Sequence, residues 1–257
     1  MARQRAGNEV RMRYASVIRI GAILTLSMLM YAQAKAGVVI TGTRVVYPAS
    51  QKEVTVKLNN NGARPVLVQS WVDSGDLQSS PTSSKAPFVL SPPVSRIDPN
   101  KGQSLRLMFT GAALPASKES VFWLNVLEIP PKAEGPTDLN VLQMAFRSRI
   151  KIFYRPDGLP GNPNETPQQM QWKVVAVDKG YALQAFNPSA FHMSQVELAL
   201  TVGTQRYDSE NGMVEPGETK LFAVPGLKSM PAGAAQVEFN AINDYGALVP
   251  IKQPLKP

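Results

Sequence analysis

The sequence predicts an all-β protein made of two β-sandwich domains, and two observations lead to this fold class. After residue 36, apolar residues recur at every second position in short segments, and no long segment shows the spacing of an amphipathic helix. Clusters of Asn, Gly, Ser and Pro separate these segments, in a chain with 22 Pro and 18 Gly among 257 residues. Short alternating strands joined by such turns are typical of β-sandwiches.

The first domain contains six candidate strands. Each one alternates apolar and polar residues and is bounded by turn-forming residues. They span residues 38–47, 53–60, 65–73, 104–111, 119–129 and 141–154. Six or seven strands within about 120 residues are enough for one complete sandwich.

A proline-rich segment divides the chain. Residues 155–167 contain four prolines, which argues against both a central strand and a helix. We therefore expect a linker, with an N-terminal domain over residues 37–157 and a C-terminal domain over residues 158–257. Candidate strands of the second domain span residues 170–178, 181–187, 194–202, 219–225 and 235–244.

Residues 1–36 have the three parts of a secretory signal peptide. Five Arg residues precede an apolar stretch at 20–30, which is too short to span a bilayer as a helix. The small residues Ala34 and Ala36 predict cleavage after Ala36, and "AQA" at 32–34 is a second candidate site. Met12 is an alternative start, and an uncleaved anchor is the alternative to cleavage.

The charge of the chain does not favour a nucleic acid partner. Residues 1–36 hold six of the 27 Lys and Arg residues and one of the 19 Asp and Glu residues. The rest of the chain therefore has 21 basic and 18 acidic residues, a net charge of +3. A protein that binds nucleic acid would carry a much stronger basic footprint, so no nucleic acid partner is expected.

Residue types that support catalysis or metal binding are scarce. The chain has no Cys and one histidine, His192, so neither a thiolate nor a histidine cluster is available to a metal ion. No nucleophile motif accompanies His192, and the sequence has no glycine-rich phosphate loop. The sequence therefore favours a binding module over an enzyme and predicts no catalytic residue, metal or cofactor.

The segment "LQMAFRSRIKIFYRP" at residues 142–156 predicts a long strand with two different faces. Large apolar side chains occupy alternate positions, at Leu142, Met144, Phe146, Ile150 and Ile152. Basic side chains occupy the intervening positions Arg147, Arg149 and Lys151. Periodicity alone favours burial of the apolar face in the core of its own domain.

The segment "LPASKESVFWLNVLEIPP" at residues 114–131 resembles the signature of the PapD-like periplasmic chaperones, which assemble pili by the chaperone–usher route. The matching positions are Leu114, Pro115, Glu119, Ser120, Phe122, Trp123, Asn125, Pro130 and Pro131. Further similarity lies in "GTRVVYPA" (42–49), "SPPVSRIDP" (91–99), "RIKIFYRP" (149–156) and "NDYGA" (243–247). The resemblance thus covers almost the whole chain after residue 36, more loosely in the second domain.

The resemblance implies two immunoglobulin-like β-sandwiches set at an angle, with a cleft between them. It also implies a periplasmic chaperone that binds, folds and caps pilus or fimbrial subunits and delivers them to an outer-membrane usher. In this family the last strand of the first domain replaces a strand that the subunit lacks, which is called donor-strand complementation. The donated side chains would be Leu142, Met144 and Phe146, with Ile150 on the same face nearer to the cleft.

Two further residue sets follow from the resemblance. Arg44 and Lys151 match the cleft cations that bind the C-terminal carboxylate of the subunit. Glu119, Arg155 and Asp244 match an ion network between the domains. Without the resemblance, these residues would be interpreted as ordinary solvated charges.

Three smaller features are compared with the same family. "SPP" at 91–93 resembles a turn that contains a cis proline, although the sequence leaves the isomer open. The loop at 132–140 is short, which resembles the branch that serves rod-like pili with adhesive tips. Some relatives carry a disulfide in the second domain, and this chain has no Cys to form one.

A secreted β-sandwich adhesin or carbohydrate-binding module is the alternative function. Such a protein would expose aromatic side chains in loops, whereas Trp71, Trp123 and Trp172 all lie within strand patterns. A secreted hydrolase ranks third because the chain lacks the residues for it. An exposed apolar strand edge would also allow a self-capping homodimer of the free protein.

Overall fold

The computed structural model describes residues 37–131 and 144–255, and these ranges contain seventeen strands and one short helix. The first nine strands are β1 (Val38–Ile40), β2 (Arg44–Pro48), β3 (Val54–Asn60), β4 (Val66–Asp73), β5 (Phe88–Ser91), β6 (Val94–Ile97), β7 (Gly102–Phe109), β8 (Ser120–Ile129) and β9 (Phe146–Arg155). Next come helix α1 (Thr166–Gln169) and the strands β10 (Gln171–Val177), β11 (Gly180–Phe186), β12 (Met193–Val202), β13 (Gln205–Asp208), β14 (Gly212–Val214), β15 (Thr219–Ala223), β16 (Ala235–Ile242) and β17 (Leu248–Pro254). The predicted signal peptide, the loop at 132–140 and Leu142 lie outside the described residues.

Two sheets form the first sandwich. One has the strand order β1-β3-β7-β5 and the other the order β2-β9-β8-β4-β6. β2 and β9 pair in parallel, whereas the other neighbours in these sheets pair antiparallel. The core between the sheets includes the fully buried Leu58, Leu105, Leu124 and Ile152.

The second sandwich has its own sheets and its own core. A sheet of order β10-β11-β15 faces a sheet of order β13-β12-β16-β17, in which β14 also pairs with β12. Leu183, Leu200, Phe222 and Val237 are among its buried residues. This architecture confirms the predicted all-β fold with two sandwiches.

The first predicted strand is wrong in one respect. Residues 38–47 form two strands rather than one, and β1 and β2 belong to different sheets of the sandwich. Gly42 lies in the turn between them with φ of 96°, a left-handed conformation that favours glycine. The last predicted strand of this domain also differs, since β9 begins at Phe146, and the described residues before it, Met144 and Ala145, are not part of a strand.

The predicted linker, residues 155–167, extends two residues too far. Helix α1 starts at Thr166, so the last two residues of the segment 155–167 are helical despite its prolines. Pro167 lies in the first turn of the helix, where its missing N–H breaks no hydrogen bond. The Ser91–Pro92 peptide bond, which the sequence left open, is cis.

No helix in residues 37–131 and 144–255 has the length and apolar character needed to cross a membrane.

Candidate functional site

Strand β9 has one fully paired edge and one edge that is only half paired. β8 pairs with every residue of β9 from Phe146 to Tyr154, whereas β2 pairs only with Lys151–Arg155. Within the described part of the chain, Phe146–Ile150 therefore has no strand on its second edge. We call this segment the open half of β9. Its free backbone N–H and C=O groups can pair with a strand from another molecule.

The apolar face of β9 passes from the core into solvent. Ile152 is fully buried, and Ile150 is half-buried against the core of the first sandwich. Phe146 is 59% exposed, and Met144, two residues before it, is 54% exposed. Burial in the core of the same domain, which periodicity alone favours, therefore applies to the C-terminal part of this face but not to Met144 and Phe146.

The two predicted cleft cations are brought together by the parallel pairing of β2 with β9. Arg44 lies directly opposite Lys151 in the register of the two strands. Both side chains reach residues of the second domain. Arg44 Nη1 donates to the carbonyl oxygen of Ile242 at 2.8 Å, and Lys151 Nζ donates to Ser194 Oγ at 3.4 Å. The pair therefore lies between the two domains, as expected for a cleft site.

The charges of this pair are not neutralised by an ion pair within the described residues. Burial lowers the pKa of Arg44, against the opposing effect of Asp244 and Glu119. Burial also lowers the pKa of Lys151 to about 8, and the positive charges of Arg44 and Lys220 add to this effect. Two partly dehydrated cations that form no ion pair within the described residues are well suited to bind a carboxylate by charge-assisted hydrogen bonds.

The third predicted set consists of Glu119, Arg155 and Asp244. It forms one connected network between the domains. Arg155 Nε donates to Glu119 Oε1 at 2.6 Å, and its two terminal nitrogens donate to Asp244 at 2.7 and 2.9 Å. The second carboxylate oxygen of Glu119 accepts a hydrogen bond from the backbone N–H of His192 at 2.8 Å. The side-chain Nδ1 of His192 lies 3.2 Å from the same oxygen.

Both carboxylates of this network are hydrogen-bonded to Arg155. Burial alone would lower the pKa of Arg155, but the hydrogen bonds of Asp244 and the charge of Glu119 raise it above its usual value. Arg155 therefore stays charged and binds both carboxylates. Asp244 and Glu119 still attract Arg44, but within the described residues neither Arg44 nor Lys151 forms an ion pair of its own, so both can bind a negative group from outside.

Some members of the site were missed by sequence reasoning. The sequence assigns no functional role to His192, whereas in the structure its ring packs 5.4 Å from that of Phe153 and it joins the Glu119 network. Ser194 carries no sequence signal, because it comes near Lys151 only through the docking of the two domains. In the described ranges no group of three or more His, Cys, Asp or Glu residues could hold a metal ion.

The lowered pKa of Lys151 predicts a pH-dependent stability. Its folded pKa of about 8 lies below the ordinary value of 10.5, so the unfolded chain binds more protons between these two values. Stability contributed by this group therefore rises with pH across that window. We expect Lys151→Met to be more stable than the wild type below pH 8, and the difference should disappear toward pH 10.5. Urea unfolding of both proteins across the window measures this, and a difference that does not change with pH would contradict it.

Two family profiles match the chain. "Pili and flagellar-assembly chaperone, PapD N-terminal domain" matches residues 37–160. "Pili assembly chaperone PapD, C-terminal domain" matches residues 165–253. The chain therefore belongs to the family of PapD-like pili assembly chaperones, which confirms the family inferred from the signature at residues 114–131.

Individual relatives agree with this assignment. The probable fimbrial chaperone YadV of Escherichia coli (strain K12) is 45% identical over 217 residues, which are 83% of this chain and 88% of the relative. The chaperone protein FimB/FhaD of Bordetella pertussis is 39% identical over 242 residues, covering 93% of this chain and 95% of the relative. These relatives are chaperones, so the chaperone function is confirmed in preference to the adhesin alternative.

Solved structures show the same fold. The crystal structure of the YadV chaperone matches with a TM-score of 0.75 and 42% identity, over 86% of this chain and 100% of that one. The SafB chaperone of Salmonella enterica, solved in complex with the SafA pilin, matches with a TM-score of 0.71 and 28% identity, over 87% and 99% of the two chains. The predicted PapD-like two-domain fold is therefore confirmed.

Proposed function

We propose that this chain is a periplasmic chaperone that caps pilus or fimbrial subunits by donor-strand complementation and delivers them to an outer-membrane usher. One observation carries the proposal. The open half of β9 combines a free backbone edge and an exposed apolar side chain, Phe146, with a pair of cations at its end that form no ion pair within the described residues. An incomplete sandwich that lacks one strand needs such an edge and such side chains.

The apolar residues of the donor segment would fill the groove of the subunit. We assign this role to Met144 and Phe146, which are exposed in the free protein, and to Leu142, which lies outside the described residues. Complete burial of a large apolar side chain contributes roughly 1.5–3 kcal/mol. Ile150 packs against the core of its own domain and would contact the subunit only at the end nearer to the cleft.

Arg44 and Lys151 would bind the C-terminal carboxylate of the subunit. A chain has only one terminal carboxylate, so binding it defines where the subunit strand ends. This fixes the register of the neighbouring strand pair, because a shift by one residue would turn every side chain to the wrong face.

The network of Glu119, Arg155 and Asp244 would hold the two domains in the orientation that forms the cleft. Its contribution to stability is small in this proposal, because buried ions lose much of their attraction to dehydration. Its contribution is geometric, since the forked hydrogen bonds of an Arg restrict both distance and angle.

Several properties of the whole protein belong to the same proposal. The signal peptide of residues 1–36 is removed after Ala36 on export to the periplasm, and a 30% identical structural relative is described as the periplasmic chaperone SfaE. The domains extend over residues 37–157 and 158–257, and the family profiles change between residues 160 and 165. The protein acts without a cofactor and without enzymatic chemistry. In the absence of a subunit, two open halves of β9 can pair in a self-capping homodimer.

Co-expression with a fimbrial subunit from the same bacterium tests the proposal. We expect the full-length chain to reach the periplasm, to lose its first 36 residues, and to bring the subunit into a soluble complex. Expression of the subunit alone is the control, since an uncapped subunit should aggregate or be degraded. Equal recovery of soluble subunit with and without the chaperone would contradict the proposal.

A further inference from the structure

The cationic face of β9 is attached to the neighbouring strands by a dense set of contacts. Arg149 Nη2 donates to Asp73 Oδ1 at 2.5 Å, and Arg149 Nε donates to Asp73 Oδ2 at 3.2 Å. The guanidinium of Arg149 also stacks over the ring of Trp123, 4.1 Å from its centre. Asp73 is the last residue of β4, and β8 lies between β4 and β9 in the sheet. The side chain of Arg149 therefore spans β8 to reach β4.

Arg147 makes a second set of contacts. It lies two residues before Arg149, on the same face of β9 and nearer to the exposed start of the strand. Its Nε and Nη2 donate to Asn125 Oδ1 at 2.9 and 2.7 Å. Its Nη1 donates to the carbonyl oxygen of Leu77 at 2.9 Å, and its Nη2 to Ser79 Oγ at 3.1 Å. The guanidinium lies over the ring of Trp71, 4.7 Å from its centre.

The acceptors of these two arginines are themselves fixed. Asp73 is only 1% exposed, and its carboxylate accepts further hydrogen bonds from Asn125 Nδ2 at 2.7 Å and from Ser79 Oγ at 3.0 Å. Burial alone would raise the pKa of Asp73, but the hydrogen bonds of Arg149 and Asn125 lower it. The carboxylate of Asp73 is therefore ionised, and several hydrogen bonds hold it in place where the arginines bind. We call Arg147, Arg149, Asp73, Asn125 and Ser79 the arginine clamp.

The location of the arginine clamp distinguishes it from an ordinary surface cluster. Both arginines belong to Phe146–Ile150, the open half of β9, where β2 no longer supports the strand. Alternate residues of a strand point to opposite faces, so the clamp holds the segment from the face opposite to Phe146 and Ile150. Within residues 37–131 and 144–255, no strand covers the free edge, and the apolar side chain of Phe146 stays exposed.

We propose that Arg147 and Arg149, anchored by Asp73, are positioning residues that keep the open half of β9 extended and in register before a subunit arrives. This inference rests on the proposed function and adds a mechanism to it. A strand that is already ordered does not lose backbone freedom on binding, so more of the contact energy appears as affinity and association is faster. Arg is suited to this role because its planar fork fixes the direction of each hydrogen bond.

Amide hydrogen exchange of the mature protein tests whether the clamp orders β9. In the double variant Arg147→Gln/Arg149→Gln, we expect the amides of Phe146–Ile150 that bond to β8 to exchange about tenfold faster, as the loss of one hydrogen bond to a charged group would produce. Amides of β3 and β7 in the opposite sheet should keep their exchange rates. Arg206→Gln is the matched control, because Arg206 also makes ion pairs with Asp208 and Glu238 but lies in the second domain.

Binding kinetics with a fimbrial subunit from the same bacterium test whether this order speeds subunit binding. We expect the double variant to associate with the subunit about tenfold more slowly, while Arg206→Gln associates like the wild type. If the double variant does not fold, the same two measurements are made on the single variant Arg147→Gln. The side chain of Arg147 is 27% exposed, so its loss should disturb the fold less than the loss of both arginines. Unchanged exchange and unchanged association in a folded clamp variant would overturn the inference and leave the chaperone function intact. Failure of the wild type to bind any subunit would instead refute the proposed function.

Discussion

The double variant Arg44→Met/Lys151→Met is expected to fold normally and to fail to recover its subunit from the periplasm. Burial disfavours both charges in the free protein, and neither is neutralised by an ion pair in the described ranges, so their removal costs little stability. In the complex, each hydrogen bond to a charged carboxylate contributes roughly 1.5–3 kcal/mol. Loss of both cations should therefore weaken binding by about a hundredfold or more.

A peptide that copies the C-terminal strand of the subunit provides the sharpest measurement. The wild type should bind the peptide with a free carboxylate much more tightly than the same peptide with a C-terminal amide. The double variant should bind both peptides equally weakly, while its melting temperature stays at or above that of the wild type. If the double variant still preferred the free carboxylate, the terminal group would have to bind elsewhere on the chaperone.

The fold was predictable because a strand has a period of two, and this period is visible in a single sequence. The alternation at 142–156 correctly separated Phe146 and Ile150 from Arg147 and Arg149. It did not reveal where the apolar face leaves the core, because that point depends on β2, which stops pairing at Lys151. The break between β1 and β2 was missed because β-forming residues stand on both sides of Gly42, at 38–40 and 45–47, and the sequence does not show that the two halves join different sheets.

The candidate site was predictable only where the family signature covers it. The positions Arg44 and Lys151 came from that resemblance, and the structure adds their contacts with the second domain. The partners of these residues are remote in sequence, so no local pattern indicates them. Arg44 bonds to a carbonyl 198 positions away, and Arg149 bonds to Asp73, 76 positions away. The arginine clamp therefore required the three-dimensional structure.

Placing a charge on the exposed apolar residues, as in Met144→Asp or Phe146→Asp, is expected to abolish subunit capture without unfolding the chaperone. Both side chains are more than half exposed in the free protein, at 54% and 59%, so an aspartate at either position remains hydrated there. In the complex the same aspartate would enter an apolar groove, which costs several kcal/mol for an unpaired charge. The variant also loses the roughly 1.5–3 kcal/mol that burial of the original side chain contributes.

Met230→Asp is the matched control for these variants, because Met230 is 48% exposed and lies in the second domain, in the loop between β15 and β16. It introduces the same charge and removes a similar apolar side chain, so it should melt and capture the subunit like the wild type. Thermal melting of each free variant and recovery of the co-expressed subunit together show whether the apolar face of Met144 and Phe146 is donated to the subunit or supports the core of the first sandwich. A large fall in melting temperature for Met144→Asp, with Met230→Asp unaffected, would show that Met144 supports the first sandwich itself. In that case the donated side chains would have to be sought at Phe146 and Leu142 alone, because the loss of capture would then follow from unfolding.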